Sequence, residues 1–353
     1  MNFSGASGAY VIGANSGPVI SARGAGAPSF GNSINIAAAV TNSQIVAAPV
    51  SFSAPSRMVI GYTFRNDSTS AATLTLPGAI TANTATNRNT AISFDSSNTG
   101  NNTVSGVITS TLINNGVTNI VLKKEGAGTW TLTGANVLSG GNMTSTSGFF
   151  GIQVNAGVVS IQNNQGLGTN AAANSLQTWV NTGATLELAN NIILDNGVSL
   201  NLRNGGTIRS SGSTTTSGRI NLSAVALTGV TISTVGSSDV FTIGNGTNDL
   251  SGGASDTVIN INGPGTIFQN TASNYIGGWS VNSGTLRLGS PTALGITSIP
   301  VAFGASSTGL LQLNGNSVTI GSLATNPVAG SPVIENGVLG SRTLTVGSSA
   351  VTT

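Results

Sequence analysis

The sequence predicts an all-β chain wound as a solenoid, and three observations carry that prediction. Apolar residues alternate with small polar ones in short bursts, residues suited to tight turns fill the gaps, and a long segment of the chain recurs.

In chain order the bursts are Leu74-Thr75-Leu76, Trp130-Thr131-Leu132, Leu186-Glu187-Leu188, Leu200-Asn201-Leu202, Ile220-Asn221-Leu222, Val230-Thr231-Ile232, Ile259-Asn260-Ile261, Leu286-Arg287-Leu288, Leu311-Gln312-Leu313, Val318-Thr319-Ile320 and Leu344-Thr345-Val346. A period of two with one apolar face is the pattern of a half-buried strand. Between the bursts sit Gly, Asn, Ser and Thr, which tolerate turn geometries and disfavour long helices. The Ala-rich pieces Ala37 to Ala39 and Ala171 to Ala173 are too short to form one. Strands this short and numerous fit a sandwich, a barrel or a solenoid. A single sandwich needs only about 100 residues, and a solenoid requires internal repeats.

Those repeats are present. Gly126-Ala127-Gly128-Thr129 is followed by Gly140-Gly141, and Gly263-Pro264-Gly265-Thr266 is followed at the same spacing by Gly277-Gly278. Val154-Asn155-Ala156-Gly157 matches Val281-Asn282-Ser283-Gly284 after an insertion in the first copy. Gly157 to Gly168 and Gly284 to Gly295 are equal steps, both ending in Leu-Gly, and a looser match links Gly183 to Gly309. The repeat period, from Gly126 to Gly263, is too long for one coil and right for several. It divides one continuous solenoid into coils leading into the repeat (1–125), a first copy (126–262) and a second, truncated copy (263–353), as expected of a piece cut from a longer array.

Composition removes much chemistry. Only 20 of 353 residues are charged, 11 Lys+Arg against 9 Asp+Glu, and both Cys and His are absent. That excludes disulfides, thiolate nucleophiles, zinc fingers, iron–sulfur clusters, His-ligated metals and a Ser-His-Asp triad. The pI of about 9.4 reflects an excess of two charges. With Lys123-Lys124 as the one adjacent basic pair, followed at once by Glu125, no nucleic-acid partner is expected. No apolar run approaches the 18 or so residues of a membrane helix. Met1 to Gly5 lack the basic start and apolar stretch of a signal peptide, so the chain is either not exported or an internal piece of something longer.

The repeat residues resemble the autotransporter-associated β-strand repeat, also called the passenger-associated transport repeat, of bacterial surface and secreted proteins. The family motif runs approximately Lys-x-Gly-x-Gly-Thr-Leu-x-Leu-x-Gly-x-Asn-x-Tyr-x-Gly-Gly-Thr-x-Val-x-x-Gly-Thr-Leu. Lys124 to Asn136, Ser139 to Gly141 and Val154 to Val159 follow it, with Leu138 where Tyr is usual and an insertion bearing Phe149-Phe150. The second copy keeps Gly263, Gly265, Thr266, Gly277, Gly278, Val281, Gly284, Thr285 and Leu286, while Gln269-Asn270-Thr271 replaces Leu-x-Gly. Clear coverage is 126 to 168 and 263 to 295. The resemblance implies a right-handed parallel β-helix, exported and held outside the cell, with a translocator β-barrel or anchor elsewhere in the full-length protein and progressive coil folding drawing the chain outward.

Such a helix stacks coils of roughly 20 to 25 residues, each with two or three strands, about 4.8 Å apart. Some 15 coils then give a single elongated rod of the order of 70 Å. Val, Ile, Leu and an occasional aromatic point inward, and Thr, Ser and Asn outward. Low charge suits this arrangement, because like charges one coil apart repel whereas Asn forms hydrogen-bonded ladders.

Few residues invite a catalytic assignment. Asp239, Asp249 and Asp256, with Asn245 and Asn248, are the densest acidic stretch, either a calcium site or carboxylates for glycoside hydrolysis, or simply Asx turns. Arg203, Arg209 and Arg219 form a candidate acidic-sugar patch, but Glu187 precedes Arg209 by about one coil, which suits an ion pair between coils. Trp130, Trp179 and Trp279 suit core packing better than sugar stacking. The alternation Thr129-x-Thr131-x-Thr133 does not recur at a regular coil spacing, and Lys123-Lys124-Glu125 reads as a solvated corner. The Gly pairs read as structural, letting the chain turn where a Cβ would clash.

The expectation is therefore a non-catalytic structural segment of a large exported bacterial surface protein: a stalk, coat, filament or adhesin, extracellular and associated with the outer membrane. No catalytic, cofactor-binding or metal-ligating residue is assigned, and no cofactor is expected. Its expected partners are another copy, through the coil ends, and a surface glycan or host surface. The alternative is a carbohydrate-active β-helix, a polysaccharide lyase or glycoside hydrolase, which requires Glu187, Asp239, Asp249 or Asp256 to converge with Arg or Lys.

Overall fold

The alternating bursts become strands whose apolar residues face one way. Leu74–Leu76 buries both leucines and leaves Thr75 half-exposed, and the same in-out-in order recurs in Ile152–Val154, Ile220–Leu222 and Val318–Ile320. These strands belong to a computed structural model of the chain that describes residues 1–5, 8–23, 33–54, 60–84, 89–111, 119–138, 151–168, 176–222, 229–246, 248–296 and 299–347. Ala171 to Ala173, Ser139 to Gly141 and Phe149-Phe150 lie outside the described residues. Ala37 to Ala39 follow a strand and enter a turn.

The fold is a parallel β-solenoid: all-β, with long sheets in which strands of successive coils stack in parallel. By its internal contacts the chain divides into two units, residues 1–179 with 183–186, and residues 180–182 with 187–353.

In the first unit a coil consists of three strands, as in Asn89–Ser96, Asn101–Val104 and Ile108–Thr111. A typical step between stacked partners is 30 residues, as from Glu125 to Asn155, with 28 residues from Leu74 to Asn102 and 34 residues from Tyr10 to Gln44. For this unit the expected shorter coil is corrected. Long strands contribute: Ile60–Asn66 and Asn119–Glu125 have seven residues and Asn89–Ser96 has eight. The interior holds an aromatic stack: Phe52 on Tyr62 (3.9 Å between centroids), Phe64 on Phe94 (5.6 Å) and Phe94 against Trp130 (5.0 Å). Such pairs contribute about 0.5–1.5 kcal/mol each beyond the area they bury.

In the second unit the coil length changes from one turn to the next. Along a single column the step is 20 residues from Asn201 to Asn221 and then 30 residues from Asn221 to Ser251. The interior is mostly aliphatic, with the buried column Ile208, Ile232, Ile261 and Val281 continuing to Phe303, each in register with the next. Asparagines pair between coils as the composition suggested. The Asn221 amide donates to Asn201 at 3.2 Å, Ser251 donates to Asn221 at 3.3 Å, and Asn282 donates to Asn262 at 3.0 Å.

Candidate functional site

The strand Asn119–Glu125 obeys the period-two rule through its charged end. Leu122 points inward, Lys123 outward and Lys124 inward, which places Lys124 in the interior column Ile34, Phe64, Phe94, Lys124, Val154. The side chain is 1% exposed. Its Nζ donates to the carbonyl oxygens of Glu125 at 2.5 Å, Gly126 at 2.6 Å and Ala156 at 3.2 Å. An ammonium has three N–H bonds, so all three are engaged with main-chain carbonyls where the chain turns between sheets. Burial lowers its pKa to about 8, partly offset by Asp95 and Glu125. The solvated-corner expectation is therefore corrected for Lys124. A lysine at an inward position buries its stem and keeps its charge only by finding acceptors at the corner.

Directly outside lies the column Asn35, Arg65, Asp95, Glu125, Asn155. Asp95 and Glu125 are in register one coil apart, an exception to the expected avoidance of stacked like charges. Cations lie on either side of this pair. Arg65 Nε is 2.6 Å from Asp67 and 3.7 Å from Asp95, Lys124 lies on the inner side, and the Asn155 amide donates to Glu125 at 2.7 Å. The hydrogen bond to Asp67 raises the pKa of Arg65 further.

A second set of polar groups is buried at the neighbouring corners. The Asn66 amide donates to Asn102 Oδ1 at 2.7 Å and to the Ala72 carbonyl at 2.8 Å. Asn102 donates in turn to Asn98 at 3.1 Å and to the Thr129 carbonyl at 3.2 Å. These side chains are at most 4% exposed, so their function is to satisfy main-chain groups that the turn takes out of the sheet ladder.

Residues one repeat apart face equivalent surroundings. Gly157 and Gly284 have φ of 62° and 67°. A β-carbon would press Gly157 into the carbonyls of Gly126 and Gly128, and Gly284 into those of Gly263 and Gly265. The buried polar side chains of the two copies differ and serve different corners. Lys124 corresponds to buried Ile261, while Leu138 corresponds to Tyr275, whose hydroxyl lies 2.9 Å from the carbonyl oxygens of both Thr257 and Gly278. Burial pushes the Tyr275 phenol well above its ordinary range. Trp279 packs edge-on to Tyr275 at 5.7 Å, and its Nε1 donates to the Leu294 carbonyl at 2.9 Å.

The residues singled out from the sequence are distributed around the coils. Asp239 accepts from the Gly236 amide at 2.7 Å, and Asp249 from the amides of Asn245 (3.0 Å) and Gly246 (2.7 Å), both turn-closing contacts. Asp239 precedes Val240–Ile243, Asp249 precedes Leu250–Gly252, and the exposed Asp256 precedes Val258–Asn262. The three therefore occupy three different corners of a coil. Asn248 adopts φ of 62° in the turn before Leu250. Glu187 meets Arg209 Nη2 at 2.6 Å in an inter-coil pair, with Arg203 and Arg219 exposed in separate turns.

Trp130 and Trp279 are buried, and Trp179 is half-buried. Thr131 belongs to a hydroxyl column, Thr75, Thr103, Thr131 and Ser160, with one member in each successive coil. Its step, 28 residues from Thr75 to Thr103, is longer than the expected coil. Thr131 and Ser160 are each 3% exposed, which makes that end of the column packing rather than surface. Among the described residues, no group of three or more carboxylates could hold a metal ion. The chain matches no family model, no curated protein and no solved structure.

Sequence reasoning overlooked Lys124 as an interior residue, the Asn66–Asn98–Asn102 corner, and Tyr275. The period of two across Leu122-Lys123-Lys124 was a sufficient signal for the first. One repeat step on from Leu138 was sufficient for the last.

Proposed function

We propose that the chain is a non-catalytic structural segment of a large exported bacterial surface protein, resembling an autotransporter passenger, that serves as a stalk, coat, filament or adhesin. The observation that supports this reading is how its ionisable side chains are engaged. The Lys124 ammonium donates all three N–H bonds to main-chain carbonyls, and Asp239 and Asp249 close turns. Arg209 and Glu187 join adjacent coils. Groups held in this way brace backbone and are not presented to a substrate. The mechanism is geometric: each coil stabilises its neighbours, and stability is distributed along the stack. Contact with a surface glycan, a host surface or a second copy belongs to the same proposal.

The test is exposure on intact cells that produce the full-length protein. External protease should remove the segment's epitopes without lysis. Epitopes that remain protected until the cells are broken would contradict the reading.

A further inference from the structure

The third sheet of the second unit carries a cluster of different character. Its outward residues form two columns, Thr266, Thr285, Leu310 and Val333 beside Phe268, Arg287, Gln312 and Glu335, with partners in register from coil to coil. Phe268 is an aromatic on the outward side of a strand whose inward residues, Ile267 and Gln269, are buried. Arg287, one coil on, lays its guanidinium over that ring with Cζ 4.4 Å from the centroid. Its Nε is buried with no hydrogen-bond partner, and among the described residues no carboxylate comes within ion-pair distance of it. Glu335, the acid in the same column, instead accepts from Gln312 at 2.8 Å.

Beside this cluster the corner opens into a groove of about 600 Å³, lined by Ser283, Thr285, Thr308, Leu310 and the glycine backbones of Gly263 and Gly284. Thr285 lies two residues before Arg287 on the same outward side, so their Cα atoms are about 7 Å apart along one strand.

We propose that this face binds an acidic oligosaccharide, with Arg287 taking a sugar carboxylate while Gln312 and the hydroxyls of Thr285 and Thr308 take ring hydroxyls. The chemistry selects this ligand class. A guanidinium held on an aromatic ring is oriented in advance, so little side-chain freedom is lost when its planar fork meets a carboxylate. A groove that sets the hydroxyls of Ser283, Thr285 and Thr308 beside the apolar Pro264 and Leu310 suits a sugar ring, which has polar edges and an apolar face. The inference deepens the surface-contact part of the proposed function, but it concerns the purified chain and can fail independently of export.

The experiment compares an oligogalacturonate with its fully methyl-esterified counterpart, a pair in which esterification removes the charge, by titration calorimetry on the full 353-residue chain. The acidic ligand should bind and the ester should bind at least about tenfold more weakly, with affinity falling as salt rises. Arg287→Gln should weaken the acidic ligand by about tenfold or more, the size expected for losing one charge-assisted contact. Arg287→Lys should fall between, because it keeps the charge and loses the fork. Unchanged circular dichroism in the variants excludes misfolding as the cause. The proposal is overturned by absence of binding to the acidic ligand, by equal binding of acid and ester, or by an Arg287→Gln protein that binds like the parent.

Discussion

The two units place their buried polar side chains at opposite ends of equivalent strands. In the first, an ammonium is drawn into the interior and donates to three carbonyls, while the position of Leu138 is apolar. In the second, buried Ile261 fills the place of Lys124, and the buried polar side chain is Tyr275, a neutral phenol in the place of Leu138 that meets the carbonyls of Thr257 and Gly278 at the opposite end of the same strands. The glycine corner therefore closes with either a buried ammonium or an aliphatic side chain at the same inward position, and the ammonium is a feature of the first copy alone. The units differ correspondingly in regularity. A step of 30 residues, as from Glu125 to Asn155, is typical of the first, whereas in the second a step of 20 residues to Asn221 is followed by one of 30 residues to Ser251.

The largest effect should come from removing what the corners share. Gly157→Val and Gly284→Val each place a β-branched residue at positive φ against neighbouring carbonyls. Each should cost about 3 kcal/mol or more. Hydrogen exchange should show lost protection confined to the coils around the substitution, because a solenoid distributes stability between nearest neighbours. Loss spread evenly over both units would contradict that locality.

The charge difference should appear next, in alkaline solution. The folded pKa of Lys124, about 8, lies below the unfolded lysine value of about 10.4. Between these values the unfolded chain binds more protons than the folded one, so the first unit should gain stability as pH rises from 8 to 10, by about 2–3 kcal/mol over the full window. Lys124→Met should flatten this slope in denaturation curves. Tyr275 acts with the opposite sign. Its raised folded pKa means that stability is complete below the ordinary tyrosine value of about 10 and is lost above it. Tyr275→Phe should cost about 1 kcal/mol at neutral pH and weaken that alkaline loss. The smallest effect belongs to the half-exposed inter-coil pair, where Arg209→Ala should cost about 0.2–1 kcal/mol and less at high salt.

Strand positions were legible because alternation is a local signal. Leu74-Thr75-Leu76 reads the same way in sequence and in structure. The step from Glu187 to Arg209 was legible for the same reason, since it spans one short coil. Coil length in the first unit was not, because connections leave no periodic trace, and the hydroxyl column through Thr75, Thr103 and Thr131 was missed with it. Lys124 was misjudged because a run of charges suggests solvent. Its three acceptors are carbonyls, which no side-chain pattern announces, and one of them, that of Ala156, lies 32 residues away. The Phe268–Arg287 contact depends on a register that only stacked coils supply.

The most direct test of the structural role of charge is made simple by composition, because the chain contains only two lysines, Lys123 and Lys124. Nitrogen-15 labelling of lysine therefore gives two side-chain signals to follow by NMR against pH. A Lys124 signal that exchanges slowly with water and titrates at about 8 is the expected result. A Lys124 signal that exchanges freely and titrates in the ordinary lysine range would mean that the ammonium is solvated and does not brace the corner.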